Sequence, residues 1–102
     1  MSLDIAILGV NGEPTEQVCI GLENYGWLMQ CALKDDCLLK RLSDYYADAE
    51  FKNSELDDLG EELSVIRERG HNNKAFLLFI DSFIALAEQA KQKQLPLIAI
   101  AD

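Results

Sequence analysis

The side chains of this sequence that could do chemistry are mostly carboxylates. Between Asp44 and Glu62 stand eight of them: Asp44, Asp48, Glu50, Glu55, Asp57, Asp58, Glu61 and Glu62. Lys52 is the one base among them, so the stretch carries a net −7 of the chain's formal −9. Two carboxyls facing each other across a cleft are the machinery of glycoside hydrolysis. With acids this dense some pair satisfies any spacing, so the pattern says little about catalysis. Like charges packed together repel and lower stability. Such a field is easier to retain when it has a use, such as attracting a basic partner. Asp81 is a separate case. Amid Phe79, Ile80 and Phe83 it reads either as a partly buried acid with a shifted pKa or as part of a polar stripe.

Other chemistries find no support. Cys19, Cys31 and Cys37 are an odd set with no CxxC spacing, which points to reduced thiols in a cytosolic protein. Cys19, between Val18 and Ile20 in a strand, is expected to be buried. His71 is the single imidazole, so no second histidine completes a metal site and no evident base serves a cysteine nucleophile. The phosphate-binding, dinucleotide-binding, nucleophile-elbow, zinc-protease and EF-hand patterns are absent. No catalytic, cofactor-binding or metal-ligating residue is therefore assigned, and no cofactor is expected.

Charge and composition narrow the partners. A pI near 4.4 argues against nucleic acid, whose phosphates are met by Lys and Arg, and against an anionic membrane surface. It favours a basic protein surface. Apolar residues make up 49% of 102 residues, which is ordinary globular composition and the size of one domain, 1–102. Met1 to Gly9 has no basic n-region and too short an apolar run for a signal peptide. The apolar stretch Ala75 to Ala87 is broken by Asp81 and Ser82 and is no membrane span.

The elements that must position the acids can be read from spacing. Leu3 to Val10 and Gln17 to Ile20 read as a β-hairpin around Asn11-Gly12, a type I′ turn signal, with Pro14 in the turn or on an edge. Leu22, Tyr25, Met29 and Ala32 fall at helical spacing, widened by Leu28 and Leu33. Gly26 either weakens that helix or permits close packing. Trp27 packs on a second face of it or serves as an exposed anchor. Asp36 can cap a helix carrying Leu38, Leu39 and Leu42 toward Tyr45 or Tyr46. Ala47 to Asn53 looks irregular. Ser54, with Asp57 three residues on, resembles a capping box for a helix striped by Leu56, Leu59, Leu63 and Ile66. Arg67 and Arg69 suit its C-terminal dipole, and Gly70 follows as a C′ residue. Asn72 or Asn73 caps the last helix, which carries Phe76, Leu77, Phe79, Ile80, Phe83, Ile84, Leu86 and Ala87 and should be the most buried. After Pro96, Leu97 to Ala101 reads as a central strand able to pair with Ile5 to Leu8. The expected class is α+β, an N-terminal hairpin and a C-terminal strand forming a small sheet packed against three to four helices.

This layout divides the acidic stretch. Glu55, Asp57 and Asp58 suit the start of a helix, whose dipole favours negative charge. Asp44, Asp48 and Glu50 precede it and have no such reason. Tyr45 and Tyr46 cannot both point inward from one helix face, and Tyr is enriched at interface centres. A binding face and a solvated surface are both open on these residues.

The run from Leu42 to Phe51, LSDYYADAEF, resembles a segment of small acidic immunity proteins of bacterial polymorphic toxin systems, including contact-dependent growth inhibition. The opening LDIAILGVNGEP and the closing LPLIAIAD are similar to the ends of such proteins. The resemblance implies a cytoplasmic inhibitor that binds a cognate toxin domain, such as a nuclease, and occludes its active site or substrate entry. It supplies no catalytic residues. The partner-binding candidates are Asp44, Tyr45, Tyr46, Asp48, Glu50, Asp57, Asp58 and Glu61, with a tyrosine as anchor and carboxylates answering Lys and Arg. An acidic adaptor or assembly subunit is the alternative, and a small carboxylate-dependent hydrolase the third reading.

Overall fold

A computed structural model describes residues 3–31, 37–44, 47–69 and 73–101. Strands β1 (Leu3–Leu8), β2 (Pro14–Ile20), β3 (Ala49–Phe51) and β4 (Leu97–Ala101) form one sheet in the order β2-β1-β4-β3. Every neighbouring pair is antiparallel. Helices α1 (Leu22–Cys31), α2 (Leu56–Glu68) and α3 (Lys74–Lys93) complete the regular elements, with short 3₁₀ turns at Leu38–Leu42 and Asn53–Glu55. The α+β class and the small sheet on helices are as the sequence indicates. β4 is central and lies beside β1, with Ile5 opposite Ala99 and Ile7 opposite Leu97.

Alternation along the strands defines two faces, because directly opposed residues share a side. Leu3, Ile5 and Ile7 of β1, Ile20 of β2, Leu97 and Ala99 of β4 and Phe51 of β3 all join the buried core. The helices bring Leu28, Leu59, Leu63, Phe76, Phe83 and their neighbours to the same core. Asp4, Ala6, Gln17, Cys19, Glu50, Ile98 and Ile100 point the other way. Cys19 is exposed on that outer face, not buried. Its strand position put it on the sheet side away from the helices, which apolar neighbours in sequence do not reveal.

The hairpin starts its return earlier than the spacing suggests. Strand β2 begins at Pro14 rather than Gln17 and is an edge strand, where a missing N–H is tolerated. The turn is not type I′. Gly9 N–H donates to Glu13 O and Gly12 N–H to Gly9 O, and only Gly12 takes a positive φ, +81°. This is a three-residue loop closed by a left-handed glycine. Val10 sits in it, 97% exposed, rather than extending β1.

In α1 the buried side chains are Leu28 and Cys31, with Tyr25, Trp27 and Met29 packed against the core, whereas Leu22 is exposed. The stripe therefore runs from Tyr25 through Leu28 to Cys31. Ala32, Leu33 and Asp36 lie outside the described residues. A Cβ on Gly26 would meet nothing within 4 Å, so this glycine does not serve close packing. The segment expected to be a helix from Asp36 toward Tyr45 contains the 3₁₀ turn Leu38–Leu42, held from outside by α2.

Ala47 to Asn53 is not irregular throughout, since it holds β3, with Ala49 and Phe51 inward and Glu50 outward. Three residues are too few for alternation to register in a sequence. The chain then enters α2 through a 3₁₀ turn, and Glu55, not Ser54, provides the N-terminal contact by accepting the Lys52 N–H at 2.9 Å. The α2 stripe Leu56, Leu59, Leu63 and Ile66 is buried as its spacing indicates. Asn73 caps α3, its side chain accepting from Ala75 and Phe76 N–H. Gly70, His71 and Asn72 lie outside the described residues.

Candidate functional site

The carboxylates of the acidic stretch divide by what they touch. Glu55 meets the Arg41 guanidinium in a two-bond fork, at 2.7 Å and 2.5 Å. Those bonds, with the Lys52 N–H, hold its carboxyl down at about 2. Arg41 also donates to Glu50 O at 2.9 Å and lies 5.7 Å from the Phe51 ring centroid. It thereby joins the first 3₁₀ turn, β3 and the entry to α2. Glu62 accepts the N–H groups of Leu38 and Leu39 at 2.9 and 3.1 Å. These are orphan donors at the start of the 3₁₀ turn, whose own N-cap position makes no side-chain bond. Asp48 accepts the Ala101 N–H at 2.8 Å, beyond the short β3. All three acids complete backbone or charge partnerships of the fold.

A second group lies along one side of α2. Asp57, Glu61, Ser64 and Glu68 recur at helical spacing and face α3 across a groove of about 700 Å³. From α3 the groove is lined by Ile84, Ala87, Glu88 and Lys91. The two helices run antiparallel, as the ion pairs Asp57–Lys91 and Arg67–Asp81 show. These pairs cross near the two ends of the helix contact. Between them the lining includes the small residues Gly60, Ser64 and Ala87, beside Leu56, Val65 and Ile84. Narrow side chains leave the gap, and Val65 stands beside it 47% exposed.

The rim is acidic and wet. Asp57, Glu61, Glu68 and Glu88 are all exposed, and Lys91 is the one base lining the groove. Lys91 is engaged with Asp57, while Glu61, Glu68, Glu88 and the adjacent Asp58 make no ion pair among the described residues. Such a site can attract cations and take an apolar side chain. It does not give carboxylates the enclosed, water-excluded setting that acid–base chemistry uses.

The described partner-binding candidates are thus spread over two layers. Glu50 is on the outer face of the sheet, Asp48 beside β4, and Asp44 exposed after the first 3₁₀ turn. Asp57, Asp58 and Glu61 are on α2 in the helix layer. Tyr45 and Tyr46 lie outside the described residues. Asp81, expected to be either buried or polar-facing, is exposed and paired with Arg67 at 2.6 Å, and this bond raises the arginine's pKa. Burial pushes the Cys31 thiol up, against the opposing charge of Arg69. Among the described residues no cluster of three or more His, Cys, Asp or Glu is placed to hold a metal ion, and no helix is long and apolar enough to cross a membrane.

Sequence reasoning missed Glu68, Gly60, Ser64 and Glu88. The first three carry a legible signal, since they share a side of α2 with Asp57 and Glu61. Glu88 does not, because its place depends on how α3 packs. Comparison with family models, with curated proteins and with solved structures finds no match.

Proposed function

We propose that this chain is a cytoplasmic, non-enzymatic binding protein that neutralises a basic toxin domain by covering its active site or substrate entry. The observation that carries the proposal is the group of exposed carboxylates on and beside α2, Asp58, Glu61 and Glu68, with Glu88 opposite. They have no ion pair among the described residues, and Glu61, Glu68 and Glu88 line an open groove. Glu61, Glu68 and Glu88 lie outside the first turn of their helices, and their charge is available to a partner. A basic cleft approaching it gains long-range attraction and fast association. The likeness of the Leu42–Phe51 run and of both chain ends to acidic immunity proteins agrees with this role.

The experiment is expression in bacteria of the domain encoded beside this chain's gene, alone and together with the chain. Growth arrest by the domain alone, relieved by co-expression, is the expected result. A neighbouring domain that is harmless, or whose toxicity the chain leaves unchanged, overturns the proposal and favours an acidic adaptor.

A further inference from the structure

The geometry points to the α2–α3 groove as a socket for one large apolar side chain carried on a cationic segment of the partner protein. This rests on the reading of the chain as a binder of a basic protein and specifies what that partner presents.

The groove is bridged near its ends by ion pairs and includes small side chains in its middle. Asp57–Lys91 and Arg67–Asp81 bridge α2 and α3 on the solvent side, and buried side chains beneath, among them Leu59, Leu63 and Phe83, set the separation of the helices. Its volume, about 700 Å³, falls within the range of about 300–1,000 Å³ typical of ligand clefts.

Gly60 sharpens the inference. Glycine is unfavourable inside a helix relative to alanine. Here the fold does not demand it, because a Cβ would meet nothing within 4 Å. Gly26 in α1 has the same free space, but it does not line this groove and so serves as a control. At Gly60 the missing side chain deepens the groove where Ser64, Ile84 and Ala87 line it. The apolar part of the lining suits an aliphatic or aromatic side chain. The rim, four carboxylates around one lysine that is already engaged, suits Lys or Arg on either side of it. An anionic or neutral segment gains nothing from that rim, and a bare polycation leaves the apolar lining unused.

The probe is a fluorescein-labelled amphipathic helical peptide of Lys and Leu, followed by anisotropy against the whole chain. A Lys/Gly peptide of equal charge and a Glu/Leu peptide are the comparisons. The Lys/Leu peptide is expected to bind at least about tenfold more tightly than the Lys/Gly peptide, the difference one buried apolar side chain makes. Gly60→Leu should weaken it by about tenfold or more, and Gly26→Leu should leave it unchanged. Ser64→Leu, which fills the same space from the next turn, repeats the test should Gly60→Leu fail to fold. Amide shifts in a ¹⁵N spectrum should move at Gly60, Ser64, Ile84 and Glu88. Equal binding of the Lys/Gly peptide, undiminished binding by a folded filled variant, or shifts confined to Ile98 and Ile100 on the outer sheet face would overturn the socket. A filled variant that still relieves the neighbouring domain's toxicity sinks the socket and spares the proposed function. A chain that binds the peptide in the groove yet relieves no toxicity does the reverse.

Discussion

The carboxylates of the acidic stretch and of the rest of α2 fall into two sets with the same sign and opposite employment. Glu55 and Glu62 engage Arg41, Lys52, Leu38 and Leu39, and Asp48 engages Ala101, so their charge completes the fold. Asp58, Glu61 and Glu68 look outward and meet no base among the described residues. Density of charge is therefore a poor guide to function, and the presence or absence of a partner is a better one. The segment before the helix, the less explained half on sequence grounds, contains a strand and a backbone cap. The helix, whose charges have an ordinary reason at its start, carries the unengaged acids along its length.

Removing what the first set supports should destabilise the molecule most. Phe51→Ala, at a site with no exposure, is expected to cost about 3–5 kcal/mol in urea denaturation, because it empties the core beneath β3. Loss below about 1 kcal/mol would mean that β3 is not anchored in this way. Glu62→Ala should cost about 1–3 kcal/mol by leaving the Leu38 and Leu39 N–H groups without their acceptor. A neutral result there would erase the distinction between the two sets.

Glu55 gives the comparison a pH axis. Its folded-state carboxyl titrates at about 2, below its ordinary 4.5. The stabilisation it brings is present above pH 4.5 and is lost as pH falls through about 2. Thermal melts of the wild type and Glu55→Gln should therefore differ most at neutral pH and converge across that window. The pair with Arg41 is solvent-facing, so added salt should shrink the difference. A gap that persists at pH 2 would assign the effect to packing. The smallest change goes the other way. Gly60→Ala should raise stability by about 0.5–1 kcal/mol, since the helix gains and nothing clashes. Destabilisation would show that the groove wall is tighter than the free space there indicates.

Long, strongly patterned elements were legible in the sequence: the α2 stripe, the apolar α3 with its cap narrowed to Asn72 or Asn73, and the pairing of β4 with β1. Short elements were not. β3 has three residues, and the 3₁₀ turn after Cys37 depends on a carboxylate 23 and 24 positions away in the chain. Their signals lie in tertiary contacts rather than in local spacing. The same limit governs the site. The row Asp57, Glu61, Ser64 and Glu68 is a helical repeat that spacing can reveal, while Glu88 and Lys91 join it only because α3 runs antiparallel to α2. Asp81 shows the converse, an acid among aromatic residues in sequence that turns out to face solvent and an arginine.

The decisive comparison neutralises the outward set and reads stability and binding together. Asp58→Asn, Glu61→Gln and Glu68→Gln are combined in one chain. Thermal melting and stopped-flow association with the Lys/Leu peptide are then measured beside the wild type at low and moderate salt. The expected result is a stability changed by less than about 1 kcal/mol, the helix-dipole contribution of Asp58 in the first turn of α2 being offset by relief of repulsion, with association slowed about tenfold or more at low salt and less so as salt rises. Loss of stability with unchanged association would mean that these carboxylates serve the fold after all and that the partner's surface lies elsewhere.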